Sequence, residues 1–281
     1  MIIQLTHLRL PHLTLTAPAA ALLLGCLAVP AKAECKGDDG GSSLVAEIRG
    51  GDTLILQDGR SVRLAGILLP RRAGAGDVAT QAREAAEKAI ADLVTGQTVE
   101  LRLDARRRDR YGRLLAQLFV AKDGQRLWLQ EQLVAAGLVR VMSSRENRIC
   151  VPELLSSERT ARETGQGQWR TGLFSIKQAA SEDILSGLAQ SYEIVEGRVE
   201  NVAEIRGRIY LNFGKNWRRD FTVTIPNDAT RLFPDQADLH ALRGRLVRVH
   251  GWIENVNGPS INLTHPEQLE ILESGATASR H

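Results

Sequence analysis

The stretch Gly51–Arg72 reads GDTLILQDGRSVRLAGILLPRR, and its pattern decides the fold of the first half of the chain. Two short runs rich in aliphatic and β-branched residues, TLILQ and SVRLAGI, flank Asp58-Gly59-Arg60. A turn signal between two such runs predicts a β-hairpin. The run LVAEIR, which ends just before Gly50, predicts a further strand. The fold therefore begins with three short strands joined by tight turns.

The residues that follow this stretch alternate between helical and strand patterns. Val78–Val94 carries Ala, Val, Ile and Leu at helical spacing and is followed by Gly96, so it predicts an amphipathic helix. The runs TVELRL and LLAQLFV predict two more strands around a polar segment, and WLQEQLVAAG and PELLSSERTARET predict two helices. Five strands interrupted by helices predict a small closed barrel of the OB type at residues 44–175.

A second β-rich unit is predicted at residues 191–273, after a linker at 176–190. Its strand-like runs are separated by turn signals at Arg206-Gly207 and Asn257-Gly258, and one helix is expected near Asp235–Leu242, between the third and fourth strands. This order is again OB-like. The predicted fold class is mainly β with α (α+β), with two OB-like barrels in sequence. The remaining segments are a flexible leader at 34–43 and a frayed tail at 274–281.

The first 33 residues have the pattern of a secretory signal peptide. Arg9 precedes an apolar run from Ala17 to Val29, and an A-x-A sequence ends at Ala33. Two alternatives stay open: a transmembrane helix, although the run is shorter than the ~20 residues that a bilayer needs, and lipoprotein processing at Cys26. The signal-peptide interpretation predicts a periplasmic or secreted protein.

Cysteine usage and charge set further limits. Of three cysteines, Cys35 and Cys150 remain after removal of the signal and predict a disulfide in an oxidising compartment, with two unpaired buried thiols as the alternative. Neither has a His or Cys neighbour at the spacing of a zinc site.

The formal net charge is only +3, so the chain as a whole is not predicted to bind nucleic acid through its overall charge. Binding of a polyanion would need a local basic patch.

Three motifs occur in a fixed order along the first barrel: Gly51-Asp52-Thr53, RLAGI at 63–67 and DRYGRLLA at 109–116. With these motifs, residues 44–170 resemble the staphylococcal nuclease (thermonuclease) family. The two-domain layout is similar to that of exported bacterial thermonuclease-like proteins with a second β-barrel. The resemblance implies that Asp52 occupies a calcium-ligand position and that Arg63 and Arg113 clamp the phosphate of a nucleic acid.

The sequence departs from this family in the acidic half of the site. Family members read G-I-D-x-P-E where this chain has GILLPR, which places Leu68 at the metal-binding Asp and Arg71 at the Glu that activates water. Calcium takes six to eight oxygen ligands and leucine offers none, while an arginine puts a permanent positive charge where the cation would sit. The sequence therefore predicts no cofactor. Calcium becomes one only if a site is rebuilt from another carboxylate, the candidates being Asp58, Asp77 and Asp109.

An anion-binding set remains. Arg63, Arg71 and Arg113 are predicted to converge on one phosphate pocket, because guanidinium groups match phosphate oxygens in pairs. Arg110 adds charge and Tyr111 offers an aromatic face for a base. Alternative interpretations are a pairing of Arg63 with Asp52 or Asp109, and an ordinary half-buried tyrosine. The neighbouring run Arg106–Arg108 is either part of a basic binding patch or an ordinary solvated face. In the second domain, Trp217 stands beside Arg218 and Arg219, where stacking and charge coincide.

Three hypotheses for function follow. The leading one is an exported protein that binds single-stranded nucleic acid or another polyanion, with calcium-dependent nuclease activity lost or strongly reduced. The first alternative is an active phosphodiesterase with a rearranged or metal-independent site, so the sequence leaves enzyme activity open. The second alternative is an envelope structural or interaction module that binds no nucleic acid.

Overall fold

The first half of the chain forms a sheet of short strands, several of which alternate buried and exposed side chains. The structure is a computed structural model and describes residues 35–71, 77–233 and 239–272. The predicted signal peptide with Cys26 and the predicted tail at 274–281 lie outside the described residues. The strands of the first half are β1 (Asp38–Arg49), β2 (Thr53–Leu56), β3 (Ser61–Leu64), β4 (Ile67–Leu68), β5 (Thr98–Arg108), β6 (Leu114–Lys122), β7 (Gln125–Trp128) and β8 (Arg140–Val141).

Five of these strands close into a barrel. Antiparallel pairing joins β1 to β2, β2 to β3, β6 to β5 and β5 to β1, and a parallel pairing of β3 with β6 completes the ring. The parallel pair is characteristic of the predicted OB order, in which the third and fifth strands meet. β7 extends the sheet beside β6, while β4 and β8 form a separate two-stranded sheet. The predicted barrel is confirmed.

The predicted helices of the first half are also present, as α1 (Val78–Val94), α2 (Leu129–Ala135) and α3 (Val151–Glu163), followed by the short α4 (Gln168–Thr171). The Asp77 side chain accepts a hydrogen bond from the Ala79 N–H and so caps α1. Ala82, Ala86, Ile90 and Val94 are buried, which is the four-residue spacing of one helix face. No helix in the described residues is long and apolar enough to cross a membrane.

Cys35 and Cys150 form the predicted disulfide, with their Cα atoms 5.1 Å apart. It joins the residues before β1 to the N-terminus of α3. The prediction of a flexible leader at 34–43 is wrong from Asp38 onward, because β1 begins at Asp38 and pairs with β5. This pairing is long-range in sequence, and the local glycine-rich pattern did not reveal it.

The second half builds another barrel of the same order. Its strands are β9 (Ile176–Gln178), β10 (Tyr192–Arg198), β11 (Asn201–Ile205), β12 (Arg208–Asn212), β13 (Thr222–Ile225), β14 (Leu246–Asn255), β15 (Pro259–Asn262) and β16 (Leu269–Leu272). β10 and β11 are separated only by Val199 and Glu200 and act as two halves of one bent strand. Pairings of β11 with β12, β12 with β13, β13 with β15 in parallel, β15 with β14 and β14 with β10 close the ring. The second OB-like unit is thereby confirmed.

The segment 176–190 is not the predicted linker. β9 pairs in parallel with β10, and α5 (Glu182–Gly187) buries Leu185 completely. Between the third and fourth strands of this barrel lie α6 (Asn227–Thr230) and a 3₁₀ turn at Leu239–Leu242, which accounts for the end of the predicted helix. Residues 235–238 of that prediction lie outside the described residues.

Ion pairs and hydrogen bonds join the two barrels within one compact unit, Glu34–His281. Arg140 donates to Glu193 at 3.3 Å, and Arg148 forms a two-pronged pair with Glu267 at 2.7 and 2.8 Å. The two barrels are therefore in direct contact and are not joined by a flexible linker alone.

Candidate functional site

A groove of about 310 Å³ lies on the first barrel between β3, the segment that leads into β6, and the chain just after β8. The alternation of β3 sends Val62 and Leu64 into the core and leaves the side chain of Arg63 on the outer surface. The groove is lined by Arg63, Leu64, Ala65, Gly66, Arg106, Asp109, Arg110, Tyr111, Leu115, Met142, Ser144, Glu146 and Asn147.

Asp52 and Arg63 are bound to each other in this region. Arg63 Nε donates to Asp52 Oδ2 at 3.0 Å, and the Thr53 hydroxyl donates to the other carboxylate oxygen at 3.0 Å. Strand pairing places Thr53 directly opposite Arg63, so β2 and β3 hold the contact in register. The alternative interpretation of Arg63 as the partner of Asp52 therefore describes the geometry.

Arg113 continues the same network on the neighbouring strand. Its Nη1 donates to Thr53 Oγ1 at 2.9 Å, and its Nε donates to Asp109 Oδ2 at 2.7 Å. Burial acts to raise the pKa of Asp109, but hydrogen bonds from Arg113 and from the Tyr111 N–H outweigh it and lower that pKa. Asp109 is therefore ionised at neutral pH, and both predicted clamp arginines hold a carboxylate.

Arg71 does not join Arg63 and Arg113. Its Nη1 donates to the backbone oxygen of Gln190 in the second half of the chain, at 2.9 Å, and Arg71 is not among the residues that line the groove. The prediction of three converging arginines is wrong at this position. Arg71 instead contacts a residue 119 positions further along the chain, which local sequence patterns do not reveal.

Arg83 of α1 supplies a cation that the sequence analysis missed. Its guanidinium donates to the backbone oxygens of Gly50 at 2.6 Å and Pro70 at 3.2 Å, and to Glu87 at 2.7 Å. Gly51 has a φ of +82°, and a Cβ there would lie 2.5 Å from Glu87 Cγ, so only glycine lets the helix approach this closely. Arg83 thus ties the turn before Asp52 to the segment that carries the altered acidic positions.

These residues do not fit a calcium ion. Asp52 is engaged by Arg63 and Thr53, Leu68 offers no oxygen, and Arg71 points to Gln190. The three other candidate carboxylates are held elsewhere: Asp58 by Arg60, Asp77 as the cap of α1, and Asp109 by Arg113. Across the described ranges, no group of three or more His, Cys, Asp or Glu side chains is arranged to hold a metal.

The basic run beside the groove is largely paired. Arg107 contacts Asp38 at 3.0 Å, and Arg106 lies 3.8 Å from Glu146. Arg110 makes no ion pair to a described carboxylate and instead lies over the ring of Tyr111, 4.8 Å from its centroid. Tyr111 is 67% exposed, so it is not the half-buried tyrosine of the alternative interpretation.

Trp217 lies on the second barrel, away from this groove. It is 54% exposed, Arg218 stacks over its ring at 4.8 Å, and Arg219 pairs with Glu182 at 3.2 Å. It lines a separate groove on the second barrel.

A closed five-stranded barrel of this strand order belongs to the class of OB-type domains, whose members bind oligonucleotides or oligosaccharides. Residues 61–171 match the family model described as staphylococcal nuclease homologue, so the chain contains a staphylococcal nuclease-like domain, as its motifs predicted. The match runs from β3 to α4 and begins after Asp52. No curated protein matches the chain at a significant level.

The pairing of Arg63 with Asp52 was among the alternatives that the sequence offered, whereas the contacts of Arg113 with Asp109 and Thr53 were not predicted. Thr53, Arg83 and Glu146 were missed. Thr53 belongs to a quoted motif, but no local pattern shows that this buried threonine bridges Asp52 and Arg113. Arg83 and Glu146 reach the site from separate segments of the chain, and no local pattern marks them.

Proposed function

We propose that this protein binds single-stranded nucleic acid or another polyanion at the groove of its first barrel and does not cleave it by calcium-dependent chemistry. One observation carries the proposal: Asp52 is neutralised by Arg63, while Leu68 and Arg71 stand where the family's other acidic groups belong. A general base alone contributes about 10² to 10⁴-fold to such reactions, so its replacement by arginine removes a large part of catalysis.

The groove keeps the chemistry of an anion site. Arg110 and Tyr111 stand together at its rim, exposed and without a carboxylate partner among the described residues, and they offer a cation for a phosphate and a π face for a base. Arg63 binds Asp52 through Nε alone and so has its Nη groups to offer to a phosphate, whereas all three guanidinium nitrogens of Arg113 already contact Thr53 or Asp109. At Arg63 a phosphate would compete with the carboxylate of Asp52, which is 23% exposed, and partly exposed pairs of this kind contribute little to stability.

We also propose that the protein acts outside the cytoplasm, in the periplasm or as a secreted protein. The Cys35–Cys150 disulfide supports an oxidising compartment, and the N-terminal pattern predicts the export signal. The test is the mass of the protein recovered from the producing cell. Cleavage after Ala33 agrees with the proposal, whereas an intact N-terminus in the cytoplasmic fraction contradicts it.

Binding is tested by fluorescence anisotropy with labelled single-stranded DNA and RNA at several salt concentrations. We expect affinity to fall steeply with salt, because each neutralised phosphate on a single strand adds about 0.7 to the slope of log K against log salt. Arg110→Gln should weaken binding about tenfold, the equivalent of one charge-assisted hydrogen bond of about 1.5 kcal/mol. Arg243→Gln, an exposed arginine of the second barrel, is the matched control and should bind as wild type.

The competing functions give different results in the same preparation. Robust cleavage of DNA or RNA with added calcium, lost in Asp52→Ala, would overturn the proposal in favour of a nuclease. Hydrolysis in EDTA that disappears in Arg63→Ala or Arg113→Ala would indicate a metal-independent phosphodiesterase. Absence of salt-dependent binding would favour an interaction module that does not bind nucleic acid.

A further inference from the structure

The second barrel carries a larger groove of about 500 Å³ on its outer surface. Strand alternation creates it: on β12 and β13 the side chains of Ile209, Leu211, Val223 and Ile225 fill the core, and the residues between them face outward. Its lining comprises Asn201, Ala203, Ile205, Arg208, Tyr210, Asn212, Trp217, Thr222, Thr224, Glu254, Val256, Asn257, Ser260 and Asn262. Second and third strands with adjoining loops form the surface that OB-type barrels commonly use for ligands.

Two amide side chains in this groove are held in fixed orientations. The Thr224 hydroxyl donates to Asn262 Oδ1 at 3.0 Å, and the Thr222 hydroxyl lies 3.4 Å from Asn212 Oδ1. Each threonine thus engages the amide oxygen and leaves the amide NH₂ group to act as a donor. Parallel pairing of β13 with β15 sets Thr224 opposite Asn262, so the backbone fixes this arrangement.

An apolar platform stands next to these donors. Trp217, Ile205 and Val256 are 54%, 58% and 62% exposed, although each would be more stable in contact with apolar surface. Arg218 covers Trp217 at 4.8 Å without lining the groove. A concave site with apolar walls and a few oriented polar groups is the usual form of a small-ligand site.

The charge of the lining selects the ligand. Among the described residues of this lining, the side chains that are charged at neutral pH are Arg208 and Glu254, and their charges balance. Grooves that follow a nucleic-acid backbone are instead positively charged. Hydroxyl groups donate and accept hydrogen bonds, so they match both amides and charged groups. The C–H faces of sugar rings carry partial positive charge and pack on the negative face of an aromatic ring.

We propose that this groove binds a neutral oligosaccharide. Trp217 and Tyr210 provide the surface for the sugar rings, Asn212 and Asn262 donate to ring hydroxyls, and Arg208 and Glu254 hold further hydroxyl groups. This site is independent of the anion groove on the first barrel, and the protein would then hold a saccharide and a polyanion at separate places.

The test is isothermal titration of the full protein with tetramers of N-acetylglucosamine, of β-1,4-linked glucose and of α-1,4-linked glucose, in parallel with oligothymidylate. We expect at least one of the three sugars to bind. Trp217→Ala and Asn262→Ala should each lower its affinity tenfold or more. Trp252→Ala is the matched control, since this exposed tryptophan lies outside the groove lining, and Arg110→Gln should leave sugar binding unchanged.

Three results would overturn the proposal. The first is the absence of saturable binding for all three sugars in the millimolar range. The second is sugar binding that survives Trp217→Ala, which would place the sugar elsewhere. The third is oligothymidylate binding that Trp217→Ala abolishes and Arg110→Gln does not, which would assign the groove to nucleic acid. Circular dichroism of each variant confirms that a lost signal is not lost folding.

Discussion

At the scale of single residues, the surroundings of Asp52 decide what the first barrel can bind. Asp52 keeps its place on the barrel, but with Leu68 and Arg71 nearby in sequence it has no oxygen partners from that segment, and Arg63 supplies its counter-charge. The side chains of Asp52 and Arg63 are 23% and 29% exposed, so their ion pair contributes about 1 kcal/mol or less. The ion pair therefore orients the two side chains, and a phosphate that binds Arg63 needs little free energy to break it.

This reasoning predicts that a calcium site can be restored. Leu68→Asp combined with Arg71→Glu should create calcium binding with a Kd on the order of 10⁻⁴ to 10⁻³ M, the range of weak protein sites, because it returns two carboxylates to the segment beside Asp52. Isothermal titration with calcium chloride measures it. Wild type should give no heat of binding.

The control for this variant is the same pair of substitutions with Asp52→Asn added. Removal of that carboxylate should abolish the calcium signal, because the restored site uses it as a ligand. A double variant that folds but binds no calcium would mean that the assignment of Leu68 and Arg71 to the family's acidic positions is incorrect.

At the scale of elements, local patterns predicted most of the fold. The helix Val78–Val94 was predicted with its observed bounds, since its periodicity and the stop near Gly96 are local. The leader and the segment 176–190 were misjudged because β1 and β9 are strands only through pairing with β5 and β10, which the patterns of these short segments do not reveal. The residues of the site show the same difference. Pairing of β2, β3 and β6 brings Asp52, Arg63 and Arg113 together, whereas the position of Arg71 depends on its contact with Gln190 in the second half of the chain.

The disulfide is the covalent link between elements, and its loss should be costly. Cys35→Ser with Cys150→Ser should lower the free energy of unfolding by about 4 to 5 kcal/mol, because the bridge closes a loop of 115 residues in the unfolded chain. Urea unfolding of wild type and variant measures the difference. Unfolding under reducing conditions serves as a check, since the two proteins should then have similar stability. A loss below about 1 kcal/mol would contradict this account.

At the scale of the whole molecule, a buried network joins α3 of the first half to the second barrel. His250 lies between Glu270, at 2.7 Å from its Nε2, and Glu158, at 3.9 Å from its Nδ1. Glu158 is almost fully buried and accepts the Val141 N–H, and its burial raises its pKa. Arg248 binds Glu196 at 2.6 Å and Glu270 at 3.4 Å. The two barrels are thus coupled by groups whose charge depends on pH.

Glu270 should give this coupling a measurable pH dependence. Burial acts to raise the pKa of Glu270, but the hydrogen bond from His250 and the charges of His250, Arg248 and Arg162 outweigh it and lower the pKa to about 2. Because the folded state binds this proton more weakly than the unfolded state, the contribution of Glu270 is complete above about pH 4.5 and is lost as the pH falls toward 2. Its size is about 3 kcal/mol.

We therefore expect Glu270→Gln to destabilise the protein by about 3 kcal/mol between pH 5 and 7, and the gap between wild type and variant to close as the pH falls toward 2. Urea unfolding at a series of pH values measures the gap. Glu84→Gln, at an exposed position of α1, is the control and should show no gap at any pH. A gap for Glu270→Gln that stays constant down to pH 2 would mean that the residue stabilises the barrel junction by packing. A gap that closes would show that Glu270 stabilises the barrel junction through its charge, which His250 and the arginines hold.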